Sequence, residues 1–489
     1  MADASILAEW FPESRKAQPK ANGNGVNGKH TDSIFYRNLE ERLEARWSEL
    51  RAPYQLRRNE PAPKSKDFST LDYLGLSHSG LIRERFLEEL KAHPDFRLGA
   101  GGSRLLNGNS PYIDALERDI ATFHGTETAL LFNSGFEANV AFFEAVPRSG
   151  DAIVYEFLST TLLSSYDELV HASLHEGMQG SNAACKRSFK HNDVDNFREV
   201  LVDVRNSEPL IRQGQRTVIV AVETIYSMDG DVAPLLELVR VAKEVFPDGT
   251  AQFFVDEAHT SGVRGREGRG LVEELGLTHE VAVQMHTYGK AVGCGGGTIL
   301  ARPAVREILV NFARGFIYTT APPFPMLAAI RSGYELMISG KTQPLQDRIQ
   351  HLVKHFFLTL QAHPDWEEAS DAGMLKMLTM DGWEDRQVLS QVVPFMTRQR
   401  YTLYLCWHLQ LKGYNCFPIE YPVVPRGESR LRVAFHAHNN EAEVEGLATA
   451  ACEWAREMMD IEDSGDRGRL PQAARQVIAA LRATGTSDL

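Results

Sequence analysis

The chain of 489 residues has no apolar run long enough to cross a bilayer, and charged and polar residues stand near the N-terminus where a signal peptide has its apolar segment. The expectation is an intracellular, cytoplasmic protein without a membrane span. An excess of basic residues is missing as well: 52 Lys and Arg against 65 Asp and Glu leave a net charge of −13, the wrong sign for nucleic acid or an anionic membrane as main partner. Cysteine is scarce. Cys185, Cys294, Cys406, Cys416 and Cys452 are scattered and odd in number, with no Cys-x-x-Cys pair, so neither a disulfide framework nor a metal site is expected. A complete phosphate-binding loop is lacking too, because Gly23-x4-Gly28-Lys29 is followed by His30 where Ser or Thr belongs and no strand precedes it. The C-terminal Ser487-Asp488-Leu489 resembles a peroxisomal tripeptide only loosely, its middle residue being acidic.

What is present is organised around His286-Thr287-Tyr288-Gly289-Lys290 and the glycine run from Gly293 to Gly297. An amine that attacks a carbonyl has to be neutral part of the time, and a lysine set among backbone and apolar groups loses its proton more readily than one in water. Thr287 offers a hydroxyl to an anion such as phosphate, and the glycines allow backbone to approach a flat ligand. Upstream, the apolar strand Phe253-Phe254-Val255 ends in Asp256-Glu257-Ala258-His259, a carboxylate and an imidazole at the edge where α/β sheets bind ligands. A pyridinium nitrogen needs an anionic partner, which Asp256 supplies. The two stretches together read as a pyridoxal phosphate site.

In chain order, residues 1–30 form a flexible leader around the Asn22–Gly28 tract, and 31–95 an N-terminal helix and arm. The helix carries Tyr36, Leu39, Leu43, Trp47 and Leu50 on one face, with Asp32 or Ser33 as cap, for docking on the body or a partner subunit. Phe68–Leu76 reads as a short strand-like run. A large domain is expected over 96–330. There Ala129–Phe132 is a buried strand entering Ser134-Gly135-Phe136, the start of a helix whose free amides suit a phosphate, with a plain helix cap as the alternative. Thr217–Glu223, the helix Leu235–Val245 and the strand ending at Asp256 give a βαβ rhythm and a mostly parallel sheet. The charged Gly262–Gly270 loop reads as a solvated crossover. A smaller α+β domain is expected over 331–462 with an isolated strand at Arg430–Phe435, whose alternate Arg430 and Arg432 share a face where a carboxylate clamp would serve, with plain surface charge as the alternative. A tail helix closes the chain over 463–489.

The order of Asp72-Tyr73-Leu74-Gly75-Leu76, Gly101-Gly102-Ser103-Arg104-Leu105, Ser134-Gly135-Phe136-x-Ala138-Asn139, His171-Ala172-Ser173, His191-Asn192-Asp193, Glu223-x3-Ser227-Met228-Asp229-Gly230-Asp231, Asp256-Glu257-Ala258-His259, Thr287-x2-Lys290 and Arg430-Leu431-Arg432 resembles the α-oxoamine synthase family of fold-type I pyridoxal phosphate enzymes, over roughly residues 35–460. The family condenses an amino acid with an acyl thioester, as in 8-amino-7-oxononanoate synthesis for biotin. The resemblance implies that Lys290 holds the cofactor covalently, Asp256 pairs with the ring nitrogen, His171 stacks on the ring, and Ser227, Glu223 and His259 lie around it. It further implies that Ser134, Gly135, Phe136 and Thr287 hold the phosphate, with Thr320 reaching the phosphate of a neighbouring subunit in a homodimer. Asp72 and Arg432 fall on the substrate side, Arg432 as the expected clamp for the amino-acid carboxylate. Two departures stand out: Asp72 replaces the family's usual Asn, and Ile113 stands where a His is common. Val204–Gln215 looks like an insertion. The competing readings are an aminotransferase of the same fold and a catalytically silent partner subunit; the donor is an acyl-CoA or a carrier-bound acyl thioester.

Overall fold

A computed structural model describes residues 34–50, 65–157, 170–398, 401–421, 423–424, 427–466 and 468–483. The expected leader and the caps Asp32 and Ser33 lie outside the described residues. Twelve strands are found among them: β1 Lys66–Asp67, β2 Thr128–Phe132, β3 Ala152–Phe157, β4 Cys185–Lys190, β5 Val218–Glu223, β6 Ala251–Asp256, β7 Val283–Thr287, β8 Gly297–Ala301, β9 Val392–Met396, β10 Tyr414–Asn415, β11 Phe417–Ile419 and β12 Arg430–Ala434.

Seven of them form the central sheet in the order β2-β8-β7-β6-β5-β3-β4. The ladders β4–β3–β5–β6–β7 are parallel, and β8 runs antiparallel to both its neighbours. Val218-Ile219-Val220-Ala221-Val222 is buried along its whole length, as a strand covered on both faces must be. One face carries the core of Phe197, Val220, Leu238 and Val255, the other that of Phe142, Ile153, Phe254 and Met285. The parallel register sets Glu223 opposite Asp256, and Asp256 opposite Met285, so polar side chains gather at the carboxyl edge.

Three sequence expectations are corrected. Arg430–Ala434 is the middle strand of an antiparallel sheet ordered β11-β12-β9, not an isolated strand. Its partners were hidden by Pro394 and Pro418, which edge strands tolerate and a reading of strand propensity discounts. Phe68–Leu76 is not a strand either. After β1 the chain turns, with Gly75 left-handed at φ 64° before the short helix Leu76–Ser79, and Asp72 Oδ2 accepting from the amides of Ser77 and His78 at 3.1 Å each. The Gly262–Gly270 loop is tucked in, because the buried Glu257 carboxylate takes the amides of Leu271 and Val272 at 2.8 Å each. Gly270, at φ 107°, lets the chain pass that carboxylate, since a Cβ there would lie 2.7 Å from Glu257 Oε1. On the helix Ile34–Leu50, Tyr36 and Leu39 of the expected docking face are exposed, as are Ile34 and Phe35.

Val204–Gln215, the insertion-like stretch, forms the end of helix Val194–Ser207 and a turn at Pro209–Arg212. The tail helix, Gln472–Ala483, buries Ala473, Ala474 and Val477 against Trp407 and Leu411 of the helix Thr402–Leu411. No helix among the described residues is long and apolar enough to cross a membrane.

Candidate active site

Lys290 follows β7 in a turn closed by the Gly293 amide, which donates to the Lys290 carbonyl at 2.9 Å. Its Nζ lies 2.8 Å from His259 Nε2, and the other imidazole nitrogen, Nδ1, lies 2.7 Å from the hydroxyl of Tyr73. Burial pushes the lysine down to about 8, against the opposing pull of the Asp256 and Glu223 carboxylates. The same burial, reinforced by the charges of Lys290 and Arg432, holds His259 well below the ordinary histidine range, so its ring is neutral.

Asp256, buried at the end of β6, is held by both oxygens: Oδ1 accepts from the Ala258 amide at 2.8 Å and Oδ2 from Asn139 Nδ2 at 2.9 Å. That amide also donates to Ser173 Oγ at 2.9 Å, and Ser173 meets His171 Nδ1 at 2.7 Å, a chain that fixes the His171 ring relative to the carboxylate. Glu223, at the end of β5, accepts from the backbone amide of His171 at 2.6 Å. Burial first, and the Asp256 charge second, raise its carboxyl well above the usual range.

An anion cradle lies beside this cluster. Ser134 caps the helix Gly135–Ala145 by accepting from the Glu137 amide at 3.1 Å, while no hydrogen bond among the described residues uses the amides of Gly135 and Phe136. A Cβ on Gly135 would sit 2.8 Å from Thr287 Cβ and 2.9 Å from its Oγ1, so only glycine brings those amides beside the Thr287 hydroxyl. The residues therefore fit pyridoxal phosphate: two bare amides and a hydroxyl for a phosphate, a fixed carboxylate for a ring nitrogen and a depressed lysine for an aldehyde.

Of the two arginines on β12, Arg430 is buried and paired with Asp229, whereas Arg432 is half-buried, close enough to Lys290, His259 and Tyr73 to act on their charge, and its buried Nε has no partner. Thus Lys290, His259, Asp256, Glu223, His171 and Arg432 converge, and Gly135 and Thr287 adjoin each other. Phe136 is 43% exposed, its ring edge-on to His171 at 6.2 Å. Ser227 is half-buried in the turn after β5, and Thr320 is exposed, tied back by Asn133 Nδ2 donating to its carbonyl at 3.3 Å. Asp72 serves the turn already described, and Ile113 is core. The sequence reading missed Tyr73, Asn139 and Ser173 as site residues, although all three lie inside the motifs it quoted. It missed Gln391 entirely; no local pattern marks a residue that reaches the site across the fold, donating through Nε2 to the His259 carbonyl at 2.6 Å.

The pattern of the family described as aminotransferase class I and II matches residues 67–450. An aminoacyl transferase named sphA from Byssochlamys spectabilis is 43% identical over 479 residues, covering 98% of each chain. The 8-amino-7-oxononanoate synthase of Emericella nidulans is 41% identical over 395 residues, 81% of this chain and 90% of that one. Among solved structures, the serine palmitoyltransferase of Sphingomonas wittichii superposes with a TM-score of 0.66 at 25% identity, over 93% of this chain and 98% of that chain.

Proposed function

We propose, from the premise that this chain belongs to the aminotransferase class I and II family and within it to the α-oxoamine synthases, that it is a pyridoxal phosphate-dependent acyltransferase joining an amino acid to an acyl thioester. In the overall reaction the amino-acid carboxylate leaves as carbon dioxide, the acyl group passes from sulfur to the α-carbon, and the thiol is released. The observation that carries this reading is the convergence on one sheet edge of Lys290 2.8 Å from His259, the doubly held Asp256 and the arginine Arg432 with a free donor.

When bound, the cofactor supplies an aldehyde for an amine and a ring that draws negative charge from the adjoining carbon. Lys290 is the residue that would hold that aldehyde, and its depressed basicity provides free amine near neutral pH. Asp256 would hold the ring nitrogen as a cation, kept in position by Asn139 and the Ala258 amide. Gly135, Phe136 and Thr287, on the helix capped by Ser134, would hold the phosphate; His171 and Glu223 would flank the ring, with Ser227 and His259 at its hydroxyl. Arg432 would bind the amino-acid carboxylate through paired donors, a geometry lysine lacks.

The substrate pair follows the relatives that align end to end, named as aminoacyl transferases. An 8-amino-7-oxononanoate-type product, the biotin-pathway reading, is the alternative that the 41% relative carries. A homodimer is part of the same reading: Phe136, Leu106 and Tyr318 are exposed, and Thr320 lies two residues beyond Tyr318, so a second copy would shield apolar surface and bring Thr320 to its neighbour's phosphate. Products of an acyl-CoA panel offered with Ala, Gly and Ser, read by mass spectrometry, test the reaction. An α-amino ketone with loss of carbon dioxide is expected, and transamination of a keto acid instead would overturn it. Lys290→Ala is expected to abolish both turnover and the visible absorbance of bound cofactor while the fold survives.

A further inference from the structure

His259 is gripped from three separate parts of the chain. Tyr73, fully buried in the N-terminal arm, meets its Nδ1 at 2.7 Å; Lys290 meets its Nε2 at 2.8 Å; and Gln391, just before β9, donates to its carbonyl at 2.6 Å. The direction of the hydrogens along this chain can be worked out. Arg432 and the Gln391 amide both act to favour negative charge at the Tyr73 oxygen, as a positive charge and a donor group do. The Gln391 carbonyl oxygen has no partner, so the Tyr73 O–H is not spent there. Burial keeps Tyr73 a phenol, and among the described residues the acceptor left to its hydrogen is Nδ1 of His259. A neutral imidazole that accepts at Nδ1 carries its hydrogen at Nε2, facing Lys290 Nζ. An N–H can bond to that nitrogen only if the lysine has a lone pair.

We propose that Tyr73 is a positioning residue that locks His259 in the Nε2–H tautomer and thereby raises the fraction of Lys290 present as free amine before the cofactor arrives. This rests on the proposed role of Lys290 and adds to it the reason why the amine is free. The opposite arrangement, a lysine cation donating to Nε2, needs hydrogen on Nδ1 and therefore an acceptor for the Tyr73 hydroxyl, which the described residues do not provide. Removing that hydroxyl frees the ring to take the other tautomer. Nε2 then becomes an acceptor and stabilises the lysine cation, so the lysine's midpoint rises.

The test is reductive methylation of the full chain stripped of cofactor, with formaldehyde and cyanoborohydride between pH 6 and 10, the extent at Lys290 read by peptide mass spectrometry. The parent should give a midpoint near 8 at Lys290. Tyr73→Phe should raise it by about one unit, which is about tenfold less free amine at pH 7, and the shift should vanish when His259 is already Gln. An unmoved midpoint in Tyr73→Phe, or the same shift in the His259→Gln background, overturns the proposal. Should Tyr73→Phe not fold, 15N NMR of the parent's histidines carries the test: a hydrogen-bearing Nε2 and a bare Nδ1 at His259 are expected, and the reverse assignment overturns the proposal. Failure of Lys290 to react at any pH in the parent would instead count against Lys290 as the carbonyl-binding amine, so the two readings fail separately.

Discussion

Two arginines two residues apart should give opposite phenotypes. In Arg430 and its partner Asp229 the side chains are 1% and 6% exposed, so Arg430→Met strands a carboxylate out of water. Breaking a buried pair from one side costs roughly 3–5 kcal/mol, which for a chain of 489 residues corresponds to a melting temperature lower by roughly 3–5 °C. Arg432 has a buried Nε without a partner and contributes no ion pair to the fold among the described residues. Arg432→Lys should melt within about 2 °C of the parent, a surface-like change. Its loss should appear in binding, where a bidentate charge-assisted contact is worth about 1.5–3 kcal/mol, or roughly ten- to a hundredfold in the amino-acid dissociation constant. The amino acid alone perturbs the absorbance of the bound cofactor, so that constant can be titrated without the acyl donor while melting is followed on the same preparations. Unchanged melting in Arg430→Met, together with an unchanged titration in Arg432→Lys, would refute the division of labour on β12.

Asp256→Asn should retain cofactor but lose most turnover, because an amide no longer stabilises a cationic ring nitrogen; Asn139→Ala, which frees Asp256 Oδ2, should lose about tenfold in kcat, and wild-type rates in either would make the carboxylate structural. Gly135→Ala drives a methyl to within 2.8 Å of Thr287 Cβ and should weaken cofactor affinity at least tenfold by equilibrium dialysis, with secondary structure unchanged by circular dichroism. His191 sits between Glu156 and Asp231, and their charges, with its hydrogen bond to Asp231, outweigh its burial and raise it to about 10. A raised folded-state value means stability that is fully present below the unfolded value near 6.5 and is lost as pH climbs to about 10. Melting temperature should therefore fall between pH 7 and 10 more steeply in the parent than in His191→Gln, and parallel profiles would exclude the linkage.

Much of this protein was determined by the sequence alone. An unbroken apolar run such as Val218–Val222 has to be buried on both faces, and strand–helix–strand spacing around Leu235–Val245 has to return parallel, so the sheet and its carboxyl edge follow from local pattern. Residues at that edge, Asp256, Glu223, Thr287 and Lys290, were legible because strand ends place them there whatever the distant chain does. What only the tertiary structure decided are the pairings between segments remote in sequence. Arg430 and Arg432 share a face and a charge, and local pattern does not distinguish them; the fold does, by bringing Asp229 against one and leaving the other's Nε free. The Pro-bearing β9 and β11 gain their identity from pairing with β12. Tyr73 and Gln391 meet at His259 from 186 and 132 residues away, and hydrogen-bond direction there depends on all three at once. Periodicity reports which face of an element is buried, but the partner waiting on that face is chosen by the packing of the whole chain.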